Sequence, residues 1–270
     1  MKNLQYSRKQ GTVREVAYPV NNYINQSRQF VTDRPIDAGE AGRATVSGEA
    51  IMKSCSVYLP AGYDECDPDT LYNVLYLLHG VGGDEYEWLR GSGSEGGNHI
   101  LCNMLDKLVA NRDIDPVIAV MPNGRSSHDW TDRTFNSEGT NMLGFYYFDY
   151  ELRYDLIPFI ESAFKTYANI RETSPEAVEY NRTHRAIAGL SMGGMPSIES
   201  DPWRLSMRFR DGVSIDCYRQ SINGLADIAG DYLDVYYQVS IKGGVHDFNV
   251  WNKGAYHFTR LSFGNGLKLD

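Results

Sequence analysis

Three short runs in this chain are apolar almost without a break: Val74-Leu75-Tyr76-Leu77-Leu78, Val117-Ile118-Ala119-Val120-Met121 and Ala186-Ile187-Ala188-Gly189-Leu190. A strand with one wet face alternates polar and apolar residues. A run with no polar side predicts a strand covered on both faces. Helical spacing falls between the runs, in Ile100, Leu101, Met104, Leu105 and Leu108, and again in Leu152, Leu156, Phe159, Ile160 and Phe164. Strands alternating with helices predict a mostly parallel central sheet with helices on both faces.

The chain has 270 residues, 42% of them hydrophobic and 23% charged, which is enough for one such domain with a full core. Neither a repeat nor a linker interrupts it, so residues 1–270 are read as a single α/β domain. Its first seventy or so residues form a β-rich part, with near-alternation in Thr12 to Tyr18 and Ser54 to Leu59 and a loop from Asp33 to Gly48. Beyond the third apolar run, Met207 to Ile215 reads as a strand, Ile222 to Tyr232 as a helix and Val235 to Val239 as a strand.

The third run ends on Gly189-Leu190-Ser191-Met192-Gly193, a G-x-S-x-G pattern. Such a serine sits on a tight strand-to-helix turn that lifts its hydroxyl clear of the sheet, and the glycines permit close backbone approach. Five residues alone are a weak pattern. An apolar strand before it and Gly193-Gly194 opening a helix after it supply the context that the chemistry needs.

A serine hydroxyl needs a base, and the base an orienting acid; on such an elbow both follow the serine in chain order. Only His246 and His257 do so. His246 lies in Gly243-Gly244-Val245-His246-Asp247, just after a strand, where ligands meet an open α/β sheet. His257, within Tyr256-His257-Phe258, reads as a packing residue. For the acid, Asp211, Asp216, Asp227, Asp231, Asp234 and Asp247 all qualify by position. Asp216 ends a strand and is preferred, whereas Asp247 adjoins the histidine too closely to orient it. The oxyanion needs preorganised N–H donors. Met192 at the head of the turn supplies one, and Val81 in His79-Gly80-Val81-Gly82-Gly83 the second, with Gly82 as the alternative.

Other patterns carry less. Gly91-Ser92-Gly93-Ser94-Glu95-Gly96 fits G-x-G-x-x-G, but it does not directly follow a strand, as a dinucleotide fingerprint must. The remaining histidines lack metal-ligand spacing, so no metal and no cofactor are expected. A net charge of −9 argues against nucleic acid and against anionic membrane, and suits a neutral or sugar-like substrate. No apolar run reaches the length of a membrane span. The first residues lack the apolar core of a signal peptide, which fits a cytoplasmic protein or one whose leader has been removed. Cys55, Cys66, Cys102 and Cys217 show no CxxC spacing and are expected as isolated thiols, though an even count leaves disulfides open. Oligomeric state cannot be read from these features.

With these residues in hand, the chain resembles the feruloyl and acetylxylan esterases of carbohydrate esterase family 1. The resemblance is carried by Ser56-Val57-Tyr58-Leu59-Pro60-Ala61-Gly62-Tyr63, by Tyr76-Leu77-Leu78-His79-Gly80-Val81-Gly82-Gly83 and by Met121-Pro122-Asn123-Gly124. It continues in His184 to Gly194 and in Gly243-Gly244-Val245-His246-Asp247-Phe248-Asn249-Val250-Trp251. It implies the α/β-hydrolase fold, hydrolysis of a feruloyl or acetyl ester on plant-wall xylan, and secretion. Ser191 and His246 match the family's motif positions, and Asp216 matches by its spacing before the histidine block. Trp88, Trp130, Trp251 and Gly82 are the expected contacts for an aromatic acyl group. The alternatives are another ester class, such as siderophore or small acyl esters, and a pseudoesterase that binds carbohydrate or a partner without turnover.

One departure from the family stands out. Only Met192 to Ser206, 15 residues, separates the serine from the next strand. Family members carry a full helix, a further strand and loops there, whereas one crossover alone takes at least about 10–12 residues. The fold is therefore expected to lack one strand after the nucleophile, with consequences for the reach of Asp216 and His246.

Overall fold

The computed structural model describes residues 9–48, 50–91, 100–194, 206–209 and 244–264. Its strands are β1 (Thr12–Asn21), β2 (Phe30–Val31), β3 (Thr45–Val46), β4 (Ala50–Leu59), β5 (Asn73–Leu78), β6 (Val117–Pro122), β7 (Arg185–Leu190) and β8 (Ser206–Phe209). The main sheet has the order β1-β4-β6-β5-β7-β8. β5 pairs parallel with both β6 and β7, and β8 parallel with β7, while β1 and β4 are antiparallel. The three apolar runs are thus the adjacent strands β6, β5 and β7, at the middle of the sheet.

Their alternation divides the core in two. Val74, Tyr76, Leu78, Ile118, Val120 and Ile187 face one cluster, which also holds Phe148, Leu152, Leu156 and Ile160. Leu75, Leu77, Val117, Ala119, Met121, Ala186, Ala188 and Leu190 face the other, with Trp88, Leu101, Leu105, Trp251 and Phe258. Helices therefore cover both faces, and the middle of each strand places apolar side chains in both cores.

The amphipathic stretch before β7 is interrupted. α-Helix Phe148–Glu151 passes through a π-helical turn, Leu152–Leu156, into Ile157–Ala163. Pro158 has no N–H to give the turn before it, and the chain widens there. The segment read as a loop from Asp33 to Gly48 is corrected in part. Asp37 caps a one-turn helix, Ala38–Ala41, and β3 bridges to β2. Helix Pro175–Thr183 starts on Ser174, whose hydroxyl accepts from the Ala177 N–H.

β8 takes the place beside β7, with Ser206 opposite Ile187 and Phe209 opposite Leu190. The segment expected as a strand from Met207 to Ile215 is a strand as far as Phe209, directly against the one that carries Ser191, and its remainder lies outside the described residues. The expected helix at 222–232 and strand at 235–239 lie outside the described residues. Cys55, Cys66 and Cys102 are free thiols, and Cys217 lies outside the described residues.

Candidate active site

β7 delivers Ser191 into a 3-10 turn, Ser191–Gly194, with φ at 51°. Serine rarely adopts this left-handed conformation, and a non-glycine residue held there is strained. Two glycines let the turn seat. A Cβ on Gly193 would collide with the carbonyl of His79, and one on Gly80 would stand 2.9 Å from the Ser191 Cβ and 3.4 Å from its Oγ. The end of β5 and the end of β7 therefore meet backbone to backbone, with the serine hydroxyl against Gly80.

Gly80 also opens a β-turn. The Gly83 N–H donates to the Gly80 carbonyl at 3.1 Å, and Gly82 at the third position has φ of 75°. A turn with positive φ at that position favours glycine. Val81, assigned as an oxyanion donor, is the second residue of this turn. The other donor, Met192, is the second residue of the serine turn. The two turns are the ones that Gly80 and Gly193 bring into contact.

A lattice of buried polar groups holds the loop behind. The His79 ring lies between the carbonyls of Gly80, 2.6 Å from Nδ1, and of Asn123, at Nε2. Burial, helped by the Arg125 guanidinium, pushes its pKa down to about 4, so the ring is neutral at pH 7. Gly124, with φ of 75°, passes so near that a Cβ would lie 3.0 Å from His79 Nε2. Arg125 donates to the Gly83 carbonyl, and Asn123 donates to Glu85 at 2.8 Å. Glu87 accepts from the Gly80 N–H at 3.3 Å, and burial pushes its carboxyl up to about 7. The motifs at 79–83 and 121–124 are therefore two halves of one brace, joined through His79. Sequence reading found both motifs but not the brace.

His246 is exposed, and its ring stands edge-on to Trp251 at 4.9 Å. It immediately precedes the helix Phe248–Phe263, which Asp247 caps by accepting from the Asn249 and Val250 N–H groups. His257 lies half-buried in that helix, against Tyr256. A cavity of about 460 Å³ opens beside His246, lined also by Gly82, Gly83, Glu87 and Trp251. The Gly80–Gly83 turn thus touches Ser191 with its first residue and lines this cavity with its last two. Ser191 itself is not part of the lining. Asp216 lies outside the described residues.

The tryptophans divide. Trp251 lines the cavity, nearly buried, and its indole N–H has no hydrogen-bond partner among the described residues. Trp88 corrects the expectation of a ligand contact: it is 1% exposed, donates to the Leu78 carbonyl at 3.1 Å and packs edge-to-face on Phe248. It is a core residue that anchors the loop. Trp130 is half-buried outside the cavity, with the Lys53 ammonium 5.8 Å from its ring. No group of three or more His, Cys, Asp or Glu that could hold a metal ion occurs among the described residues. Nor is any described helix long and apolar enough to cross a membrane.

Comparison with known proteins bears on the family and the fold. The family model "Putative esterase" matches residues 52–199, more than half of the chain. The chain belongs to this esterase family, and its fold is that of α/β-hydrolase esterases. Among curated proteins it is 35% identical over 158 residues to endo-1,4-beta-xylanase Y of Acetivibrio thermocellus, covering 58% of this chain and 12% of that protein. It is 32% identical over 167 residues to the endo-1,4-beta-xylanase/feruloyl esterase of Xylanibacter ruminicola, covering 60% and 19%. The chain thus spans less than a fifth of the length of these curated relatives. Among solved structures, a ferulic acid esterase of Anaeromyces mucronatus in complex with ferulic acid aligns with a TM-score of 0.63 at 15% identity, covering 98% of this chain and 93% of that one. The feruloyl esterase module from Clostridium thermocellum, complexed with sinapinate, aligns at 0.57 and 21% identity, covering 99% and 93%. At these identities the structures speak for the shared fold.

Proposed function

We propose that this chain hydrolyses feruloyl or acetyl esters on xylan through an acyl-enzyme formed on Ser191. The observation that carries the reading is the Ser191 φ of 51° at the end of β7, with its hydroxyl against Gly80. In this reading the Ser191 Oγ attacks the ester carbonyl while His246 takes its proton. The tetrahedral oxyanion forms between the Met192 and Val81 N–H groups. As it collapses, the C–O bond to the sugar breaks and His246 gives its proton to the leaving alcohol oxygen. Water then attacks the acyl-serine as His246 takes its proton, the bond to the Ser191 Oγ breaks, and His246 returns the proton to that oxygen as the free acid leaves. Asp216 orients the imidazole by accepting its other N–H. The two curated relatives named for xylanase or feruloyl esterase activity support xylan as the context.

The test is hydrolysis of methyl ferulate and p-nitrophenyl acetate by the wild type and Ser191→Ala. Loss of a nucleophile of this kind lowers kcat by at least about 10³-fold. Equal rates in the two proteins would sink the proposal.

A second reading, a chain of the same fold that binds carbohydrate without turnover, draws on one feature. β8 begins at Ser206, only 15 residues beyond Ser191, and pairs directly with β7. One strand spacing is about 4.8 Å, more than a catalytic hydrogen bond tolerates. A fluorophosphonate probe that labels the wild type and not Ser191→Ala would exclude this second reading.

A further inference from the structure

The cavity beside His246 combines apolar and charged side chains. Asp84, Glu87, Arg90, Arg133 and Asp247 line it together with Phe248 and Trp251. Asp84 holds both guanidiniums on one oxygen, Arg90 at 3.0 Å and Arg133 at 2.7 Å. Its other oxygen accepts from the Tyr86 N–H at 3.0 Å.

Each guanidinium gives Asp84 one N–H of the five it carries. The others have no hydrogen-bond partner within the protein among the described residues, both side chains are 50% exposed, and the Arg90 guanidinium rests 5.2 Å from the Tyr86 ring. Two forks of donors are therefore held in place by one buried carboxylate and left open towards the cavity. The charges nearly balance. Two arginines face two carboxylates, Asp84 and Asp247, and burial pushes Glu87 up to about 7, leaving it about half-charged at neutral pH. A ligand with net charge gains little from such a rim. One rich in neutral oxygen atoms gains donors from the arginines and acceptors from Glu87 and Asn249 at once.

Position completes the argument, and it rests on the reading of Ser191 and His246 given above. The histidine that protonates the leaving alcohol must face that alcohol, so the alcohol side of the ester lies on the His246 side of the site. We infer that the cavity bounded by Arg90, Arg133, Glu87 and Asn249 is a subsite for the glycosyl group of the leaving alcohol, a neutral polyhydroxylated sugar, with the two arginine forks as its specificity-determining contacts.

Two measurements test this. The first is the ratio of kcat/KM on a feruloylated arabinoxylan oligosaccharide to that on methyl ferulate. We expect the ratio to fall about tenfold or more in Arg90→Ala/Arg133→Ala. Arg133→Lys keeps a cation on Asp84, and with it the local fold, and should give an intermediate ratio. An unchanged ratio in the double variant overturns the inference. The second is calorimetric titration of Ser191→Ala with unesterified arabinoxylan oligosaccharide, which needs no turnover. Saturable binding that weakens about tenfold when the two arginines are removed is expected. Absence of saturable binding, or equal affinity in the arginine variant, overturns the subsite. If the wild type cleaves neither ester, the proposed reaction fails while the titration still decides the subsite.

Discussion

Two clusters of charged side chains in this molecule are built from similar parts and put to opposite use. One, around Lys53 and Glu151, is dry: the two side chains are 1% and 0% exposed. The Lys53 ammonium donates to both Glu151 oxygens, at 2.9 and 2.7 Å, and to the Arg125 carbonyl at 2.6 Å. Glu151 also accepts from the Tyr18 hydroxyl at 2.6 Å and the Ser126 hydroxyl at 2.7 Å. Every donor of the ammonium is spent, and nothing is left for a ligand. The other cluster, around Asp84, Arg90 and Arg133, is half wet and leaves most guanidinium N–H groups open. A closed network fixes a fold, whereas an open one on a rigid support can bind. The first holds the 123–126 loop through the Arg125 carbonyl and the Ser126 hydroxyl, and the Arg125 guanidinium in turn donates to the Gly83 carbonyl beside Asp84.

The sharpest way to break this contrast is to remove Glu151. Glu151→Ala leaves the Lys53 ammonium buried without its counter-charge, and such changes cost about 3–5 kcal/mol. Against a total of about 5–15 kcal/mol, that is a large share of stability. Urea denaturation is expected to show the loss, and Lys53→Met/Glu151→Leu to recover most of it by removing both charges together. A loss under about 1 kcal/mol in Glu151→Ala would show that water reaches the ammonium, and the two clusters would no longer differ in kind.

Next in size is Gly193→Ala. The added methyl meets the His79 carbonyl, which is backbone and cannot swing aside. Overpacking of this sort costs about 1–3 kcal/mol, and it pushes the serine turn away from Gly80. Esterase activity is therefore expected to fall by more than tenfold while the chain still folds, as followed by circular dichroism and methyl ferulate hydrolysis. Retention of full activity would show that close contact between the two turns is dispensable.

What could be read from the sequence follows the range of the forces involved. β5, β6 and β7 were legible because each apolar run carries its own burial signal, and Ser191 because the elbow is specified within five residues. The Ser174-Pro175 start of helix Pro175–Thr183 was also locally signalled, but a polar helix surface gives little periodicity to attach it to. Trp88 was misread because nothing in Tyr86-Glu87-Trp88-Leu89-Arg90 tells whether the indole turns to a ligand or to the Leu78 carbonyl. The brace of His79, Glu85, Asn123 and Arg125 joins residues 38 to 44 positions apart. No window on the sequence links them. The arginine forks are hidden for the same reason, since Arg133 reaches Asp84 across 49 positions.

The last expected effect appears only as pH changes, in the buried pair between the two clusters. His79 and Glu87 stand 3.9 Å apart in the loop behind Gly80, and burial favours the neutral form of each. The His79 pKa falls from 6.5 unfolded to about 4 folded, so its contribution to stability is present above pH 6.5 and is lost as pH falls towards 4. The Glu87 pKa rises from 4.5 to about 7, so its contribution is present below pH 4.5 and is lost as pH rises through 7. Between those limits the two slopes have opposite sign and similar size, and in the wild type they offset each other. Glu87→Gln keeps an acceptor for the Gly80 N–H and removes the titration. The variant should match the wild type near pH 4.5 and become the more stable of the two as pH rises to 8, by up to about 3 kcal/mol. Melting temperatures across that range measure it. A constant difference between the two proteins at every pH would mean that Glu87 is charged and solvated, leaving the loop behind the Gly80–Gly83 turn as wet as the Arg90 and Arg133 side chains.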